Sequence, residues 1–215
     1  TYDQLQQDLC INNNPITILT FAASVWGMND VTHLGIYDIP MMSNIPNLVY
    51  LAPTTYEEYI AMLDWSTEQR EHPVAIRVPG AVIHGEKPTK DYGILNKYET
   101  VQKGSGAAII ALGTFFGMGK QAAELIEKKT GVKPTLINPV YITGIDEELL
   151  ESLKKDHKAV VTLEDGILDG GFGEKIARFY GDSDMRTVNF GLKKEFLDRY
   201  DANEVLRQNC ITPEE

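Results

Sequence analysis

The chain has 215 residues, 43% hydrophobic and 24% charged, with 20 Lys and Arg against 31 Asp and Glu, a formal net charge of −11. That length suits one large or two modest domains, each burying its own core. The acidity excludes a nucleic-acid or anionic-membrane surface, both of which need a dense basic face, but leaves open a phosphorylated small molecule held by one or two local cations.

The segment Tyr2-Asp3-Gln4-Leu5-Gln6-Gln7-Asp8-Leu9-Cys10-Ile11 has apolar residues at helical spacing from its first turn. The chain thus reads as starting inside a helix, as a piece of something longer. Residues 16–21 predict a buried strand, and Asp30-Val31-Thr32-His33-Leu34-Gly35-Ile36-Tyr37-Asp38 forms the loop after it. Residues 47–53 predict a short strand ended by Pro53. Thr54 or Thr55 then caps a helix over 56–69, with Glu57 and Glu58 favouring its dipole. A third strand over 73–80 stops at Pro79-Gly80. Strand, helix and strand in this order imply parallel pairing. Residues 80–104 read as a linker with one or two edge strands. Four strands then follow, at 107–114, 134–139, 157–164 and 185–190, with helices over 119–130, 146–155, 173–180 and 202–209. This is an α/β pattern of a mostly parallel sheet covered on both faces.

His33 stands where α/β folds place ligand-binding groups, and imidazole moves protons near neutrality. A lone loop histidine more often caps or packs. The run from Gly113 to Gln121 is no phosphate loop: its Gly-Lys comes one residue late, and Gln121 replaces the Ser or Thr that holds magnesium. Small residues there suit a tight strand-to-helix turn. Asp169-Gly170-Gly171-Phe172-Gly173 could cradle an anion on backbone N–H groups, with a tight turn the favoured use. Glu164-Asp165, ending a strand, suits capping of a neighbouring loop. Arg77, inside a buried-looking strand, requires a carboxylate of the chain or a substrate anion as partner. His72, His84 and His157 flank strands without ligand spacing and read as surface histidines. Cys10 and Cys210 lack metal-ligand spacing and suit a reducing cytoplasm. No apolar run approaches the ~20 residues of a membrane span.

Eight segments in order resemble the latter part of the transketolase-like, thiamine diphosphate-dependent enzymes, nearest their 1-deoxy-D-xylulose-5-phosphate synthase branch. They are Tyr2-Asp3-Gln4-Leu5…Asp8, Thr32-His33-x-Gly35…Asp38, Ile45-Pro46-Asn47, Ala52-Pro53, Ala75-Ile76-Arg77-Val78-Pro79, Leu112-Gly113-Thr114, Asn138-Pro139 and Thr162-Leu163-Glu164…Gly170-Gly171-x-Gly173. The resemblance implies two α/β units. Residues 1–80 would be the second half of a pyrimidine-binding domain, 81–104 a linker, and 105–215 a transketolase C-terminal-like domain. It implies a parent enzyme using thiamine diphosphate and Mg2+ to join pyruvate to a phosphorylated sugar aldehyde. The metal loop and the activating glutamate have no counterpart in this chain, so it would be inactive alone and bind neither cofactor nor metal. His33 matches the proton-handling histidine, and Arg77 the strand arginine at the substrate's phosphate end. Where the synthases carry an Arg and an Asp before the histidine, this chain has Ala22 and Asn29, with Asp30 adjacent. Asn29 and Asp30 are therefore the further substrate-binding candidates. Leu34 replaces a second histidine, and Gly80-Ala81 stands where Arg-Gly follows the proline. These departures leave a divergent synthase or another ketol transferase open. The expected partners are a second copy in a homodimer and the N-terminal domains of the parent. The alternatives are a transketolase or beta-like subunit of a split enzyme, and a non-catalytic dimerisation module.

Overall fold

A computed structural model describes residues 2–78 and 80–214, so Pro79, expected to stop the third strand, lies outside the described residues. The opening helix differs from expectation. A turn of α1 (Tyr2–Gln4) runs into a π-helix over Leu5–Cys10, closed by Ile11 N–H donating to the Gln6 carbonyl at 3.0 Å. This wider winding sets Leu5 and Cys10 on one buried face.

The first sheet is parallel in the order β1-β3-β2, formed by β1 (Thr17–Thr20), β2 (Val49–Leu51) and β3 (Val74–Arg77). Its register pairs Thr20 with Arg77 and Leu51 with Ile76, so the three strands end along one edge. β1 is not the buried strand expected over 16–21. It is an edge strand, half-buried throughout, with Phe21 in solvent. Apolar content alone does not separate edge from centre. The crossover helix α3 (Tyr56–Glu68) begins at Thr55, whose side chain accepts the Glu58 N–H at 3.1 Å, while the Glu58 carboxylate accepts Thr54 N–H at 2.8 Å. That reciprocal cap satisfies two orphan donors. The short helix α2 (Asp38–Met42) carries no usable periodicity and is absent from the sequence reading.

The second sheet has the order β4-β6-β5-β7-β8, with β4 (Glu99–Gln102) as its antiparallel edge. The others are β5 (Gly106–Ala111), β6 (Thr135–Asn138), β7 (His157–Ile167) and β8 (Arg186–Leu192). Helices α4 (Phe116–Thr130), α5 (Glu147–Leu153), α6 (Phe172–Tyr180) and α7 (Ala202–Gln208) complete the unit. α4 starts earlier than expected, after a 3-10 turn over Gly113–Phe115. A Cβ at Gly119 would lie 2.6 Å from that of Ala111, so glycine there sets the helix on its strand. His157 is buried, not a surface histidine. Its Nε2 lies 2.8 Å from Thr135 Oγ1, and its Nδ1 lies 3.2 Å from the Leu153 carbonyl.

The two units interlock. Ala52 N–H donates to the Val140 carbonyl at 2.8 Å, and Ile142 N–H to that of Tyr50 at 2.7 Å. Val140 takes φ 63 to make this bridge, an unusual backbone for a β-branched residue. One core cluster joins Tyr50 and Ala75 of the first sheet to Ile110, Ile137 and Phe172 of the second unit. Another joins Leu34 and Ile36, beyond the histidine, to Phe115, Ile167 and Leu192. Leu34 therefore stands at a core-facing position. Among the described residues no helix is long and apolar enough to cross a membrane.

Candidate active site

Parallel strands direct their carboxyl ends to one edge, where loops collect ligand-binding groups. The loop leaving β1 is pinched at its neck. Ala22 and Ser24 adopt φ 57 and 77, left-handed values seldom taken by residues with a Cβ. Ser24 N–H donates to the Gly35 carbonyl at 2.8 Å. A Cβ at Gly27 or Gly35 would fall 2.4 or 1.8 Å from the Ala22 carbonyl oxygen, so only glycine closes this neck. Ser24 Oγ is buried without a partner among the described residues.

At the loop's tip Asp30 organises its neighbours. Its Oδ1 accepts the Thr32 N–H at 3.1 Å and hydroxyl at 2.5 Å, and lies 2.9 Å from His33 Nδ1. The Thr32 hydroxyl first, then His33, hold the Asp30 carboxyl down at about 2. Ionised Asp30 only accepts, so Nδ1 is the donor in that bond. The His33 side chain is 57% exposed. The ring is thus fixed in orientation and open to solvent.

The chain's C-terminal segment holds the loop. The Asn29 carbonyl accepts Arg199 N–H at 2.6 Å, Asn29 Nδ2 reaches the Tyr200 carbonyl at 3.5 Å, and Asp198 accepts Val31 N–H at 3.2 Å. Tyr200 hydroxyl contacts the carbonyls of Val25 and Met28 at 3.0 and 3.1 Å. Trp26 packs edge-on against Phe115 at 5.3 Å. Between loop and segment lies an open pocket of about 440 Å³ lined by Trp26, Asn29, Asp30, Tyr200 and Asp201.

Arg77, the last residue of β3, is only 4% exposed and sits in a clasp. Its Nε and Nη2 donate to the two oxygens of Asp38 at 2.7 and 3.2 Å, and its Nη1 donates to Asp165. Tyr50 hydroxyl donates to Asp38, and Thr114 hydroxyl to Asp165 at 2.7 Å. Burial opposes the Arg77 charge, but Asp165 and Asp38 outweigh it and hold its pKa well above the ordinary value. Of the two partners the sequence allows, the structure supplies the chain's own carboxylates. A cavity of about 10 Å³ bordered by Arg77, Thr114 and Asp165 adjoins the clasp, room for about one water.

The glycine turn after β7 cradles an anion, and that anion is internal. Glu164 accepts the N–H groups of Phe172 and Gly173, each at 2.8 Å, at the start of α6. A Cβ at Gly171 would lie 2.6 Å from the Glu164 carboxylate. Burial pushes the Glu164 carboxyl up to about 7 against the pull of these two donors.

The structure thus brings Asp30 and His33 together, turns Asn29 toward the C-terminal segment and sets Arg77 in a separate buried cluster. Ser24, Asp38 and Tyr200 are site residues the sequence reading does not single out, although Asp38 closes the quoted histidine motif. Asp165, read with Glu164 as a loop cap, instead meets Arg77. Among the described residues no three His, Cys, Asp or Glu side chains converge as metal ligands.

Comparison with known proteins places this geometry. Curated relatives include the 1-deoxy-D-xylulose-5-phosphate synthases of Clostridium perfringens (strain SM101 / Type A), 34% identical over 219 residues, and Clostridium tetani, 32% identical over 216. These matches cover 99% of this chain but only 35% and 34% of the relatives, so the chain spans about a third of their length. Among solved structures, one titled split gene transketolase, inactive beta4 tetramer, superposes with TM-score 0.83 at 21% identity, covering 99% of this chain and 67% of that one. A transketolase mutant from Pichia stipitis superposes with TM-score 0.73 at 18% identity, over 95% of this chain and 29% of that one. Both establish the fold. The family model described as transketolase, C-terminal domain, matches residues 96–215. On that match over more than half its length, the chain belongs to the transketolase C-terminal domain family.

Proposed function

We propose that this chain forms the latter part of a thiamine diphosphate-dependent transferase that joins pyruvate to a phosphorylated sugar aldehyde with loss of CO2, as a 1-deoxy-D-xylulose-5-phosphate synthase. In this reading residues 1–80 complete a pyrimidine-binding domain, 81–104 link, and 105–215 form the C-terminal domain. The observation that carries it is the Asp30–Thr32–His33 arrangement, which presents an oriented, exposed imidazole on the loop after β1.

The chain's own roles follow from that geometry. His33 Nε2 takes or returns a proton on the substrate, and Asp30 holds the ring through Nδ1. Asn29 and Asp30 line the pocket that receives the acceptor. Arg77, its guanidinium nitrogens engaged by Asp38 and Asp165, acts on the substrate's phosphate end indirectly, by holding the strand ends beside the pocket. Mg2+ does not fit the carboxylates near this site, since Asp38 and Asp165 are occupied by Arg77 and Glu164 by the start of α6. In this reading the metal and the cofactor's diphosphate are held by parts of the parent enzyme outside this chain, which alone gives no turnover.

The test uses the whole enzyme with pyruvate, glyceraldehyde 3-phosphate, thiamine diphosphate and Mg2+. His33→Ala should lower kcat about 10²–10⁴-fold. Unchanged product formation removes His33 from the mechanism, and no turnover of any aldehyde by the native enzyme favours a non-catalytic dimerisation module. Arg77→Lys should raise KM for the phosphorylated aldehyde more than for an unphosphorylated one. Equal effects count against a phosphate role. A second reading is a beta-like subunit of a split enzyme, active only with a partner chain; the split-gene transketolase structure, whose match covers 99% of this chain and 67% of that one, favours it. A reading frame encoding all the parent domains in one chain overturns it.

A further inference from the structure

The cleft between α2 and α6 shares no lining residue with the pocket beside His33 or the cavity beside Arg77. It holds about 600 Å³. Ser43 and Asn44 at the end of α2 form one wall, Lys175 and Arg178 of α6 the other, and Thr143 joins them. Lys175 and Arg178 are three residues apart and so share a helix face.

Some cations of this chain meet carboxylates, Lys97 with Glu148 at 2.7 Å and Lys194 with Asp169 at 3.0 Å among them. Lys175 and Arg178 have none within bridging distance among the described residues. The best-placed carboxylate is diverted: Glu174, one turn before Arg178, accepts Gly170 N–H at 3.0 Å. Lys175 Nζ is held by the Ile142 carbonyl at 2.5 Å, fixing the amine at the cleft wall. Burial first, and the nearby Arg178 charge, push this amine down to about 8 despite Glu164. Two cations thus share the recess with one carboxylate, Glu174, which lines it and is turned to the Gly170 N–H. Thr143 Oγ1 accepts Tyr50 N–H at 3.2 Å and keeps its own proton to donate.

We propose that this cleft binds a phosphorylated small molecule, with its phosphate between Lys175 and Arg178 and a hydroxyl-bearing body against Ser43 and Thr143. The two cations outnumber the one lining carboxylate, Glu174, and a guanidinium favours the forked geometry of phosphate oxygens. Such a ligand bridges the two units, since Ser43 follows α2 of the first and both cations lie on α6 of the second.

Calorimetric titration of the intact protein with inorganic phosphate and with glycerol 3-phosphate tests this. Saturable binding is expected, tighter for glycerol 3-phosphate. Lys175→Gln or Arg178→Gln should weaken it by about tenfold or more, the loss of a charge-assisted bond, and Lys175→Arg should largely preserve it. Bound phosphate should also protect Lys175 from an amine-acylating reagent, read by peptide mass. Circular dichroism confirms that each variant folds. No saturation by about 10 mM, weaker than the millimolar range, overturns the proposal. So does unchanged affinity in the Lys175→Gln/Arg178→Gln variant, or acylation of Lys175 indifferent to phosphate. None of these readouts depends on turnover, so the proposed enzymatic role stands or falls separately.

Discussion

His33 and Arg77 both follow parallel strands of one sheet, yet they occupy opposite electrostatic situations. The imidazole is exposed and meets a single carboxylate from its own loop, three residues away. The guanidinium is buried between carboxylates 39 and 88 residues distant, one from each unit of the fold. The exposed pair fixes the orientation of one ring at little cost in folding. The buried cluster ties α2, β3 and β7 together. A charge near a strand end can thus serve reactivity or architecture, and the number and origin of its partners separate the two.

That contrast can be broken most forcefully at Arg77. Replacement by Met leaves Asp38 and Asp165 buried and unpaired, with an expected loss of about 3–5 kcal/mol in urea unfolding. Replacing all three members by apolar residues of similar volume should recover most of it. A loss below about 1 kcal/mol for Arg77→Met would show that the clasp does not join the units. Gly171→Ala should cost about 1–3 kcal/mol, because the new methyl meets the Glu164 carboxylate. Tyr200→Phe should cost about 1 kcal/mol and speed hydrogen exchange in the histidine loop without disturbing the clasp. His33→Gln should move stability by no more than about 0.5 kcal/mol, while activity of the whole enzyme collapses.

The two kinds of carboxylate also predict opposite pH dependences. Asp30 is depressed from 3.8 to about 2, so its restraint on Thr32 and His33 is complete above about 4 and lost as pH falls through about 2. The Thr32 amide shift in a pH titration by NMR follows it. Glu164 is raised from 4.5 to about 7, so the folded state holds the extra proton and stability falls as pH rises across that window. Thermal melts from pH 4.5 to 7 should show this slope, and Glu164→Gln should remove it.

Much of the architecture is legible in the sequence because it is written locally. Alternating strands and helices, the Thr55 cap and the small residues of the turn at Gly113 all act over a few residues. The Asp30–His33 pair is local too. The glycine turn after β7 announces a place for an anion, but its occupant, Glu164, lies eight residues upstream, across the turn. Asp165 meets Arg77 over 88 residues, a separation that leaves no periodic trace. His157 escaped a surface assignment only in three dimensions, where β6 and α5 close over it. Local pattern reads elements well, whereas the identity of a partner depends on how the units dock.

The bonds from Tyr200 to Val25 and Met28 join residues 175 and 172 positions apart. Contacts of that separation close the longest loops and reward the chain only after everything between is in place. The histidine loop is accordingly among the last parts to order during synthesis. A nascent chain halted before Asp198 holds the residues of both sheets and of the arginine clasp but lacks the bonds that grip the loop at Asn29 and Val31.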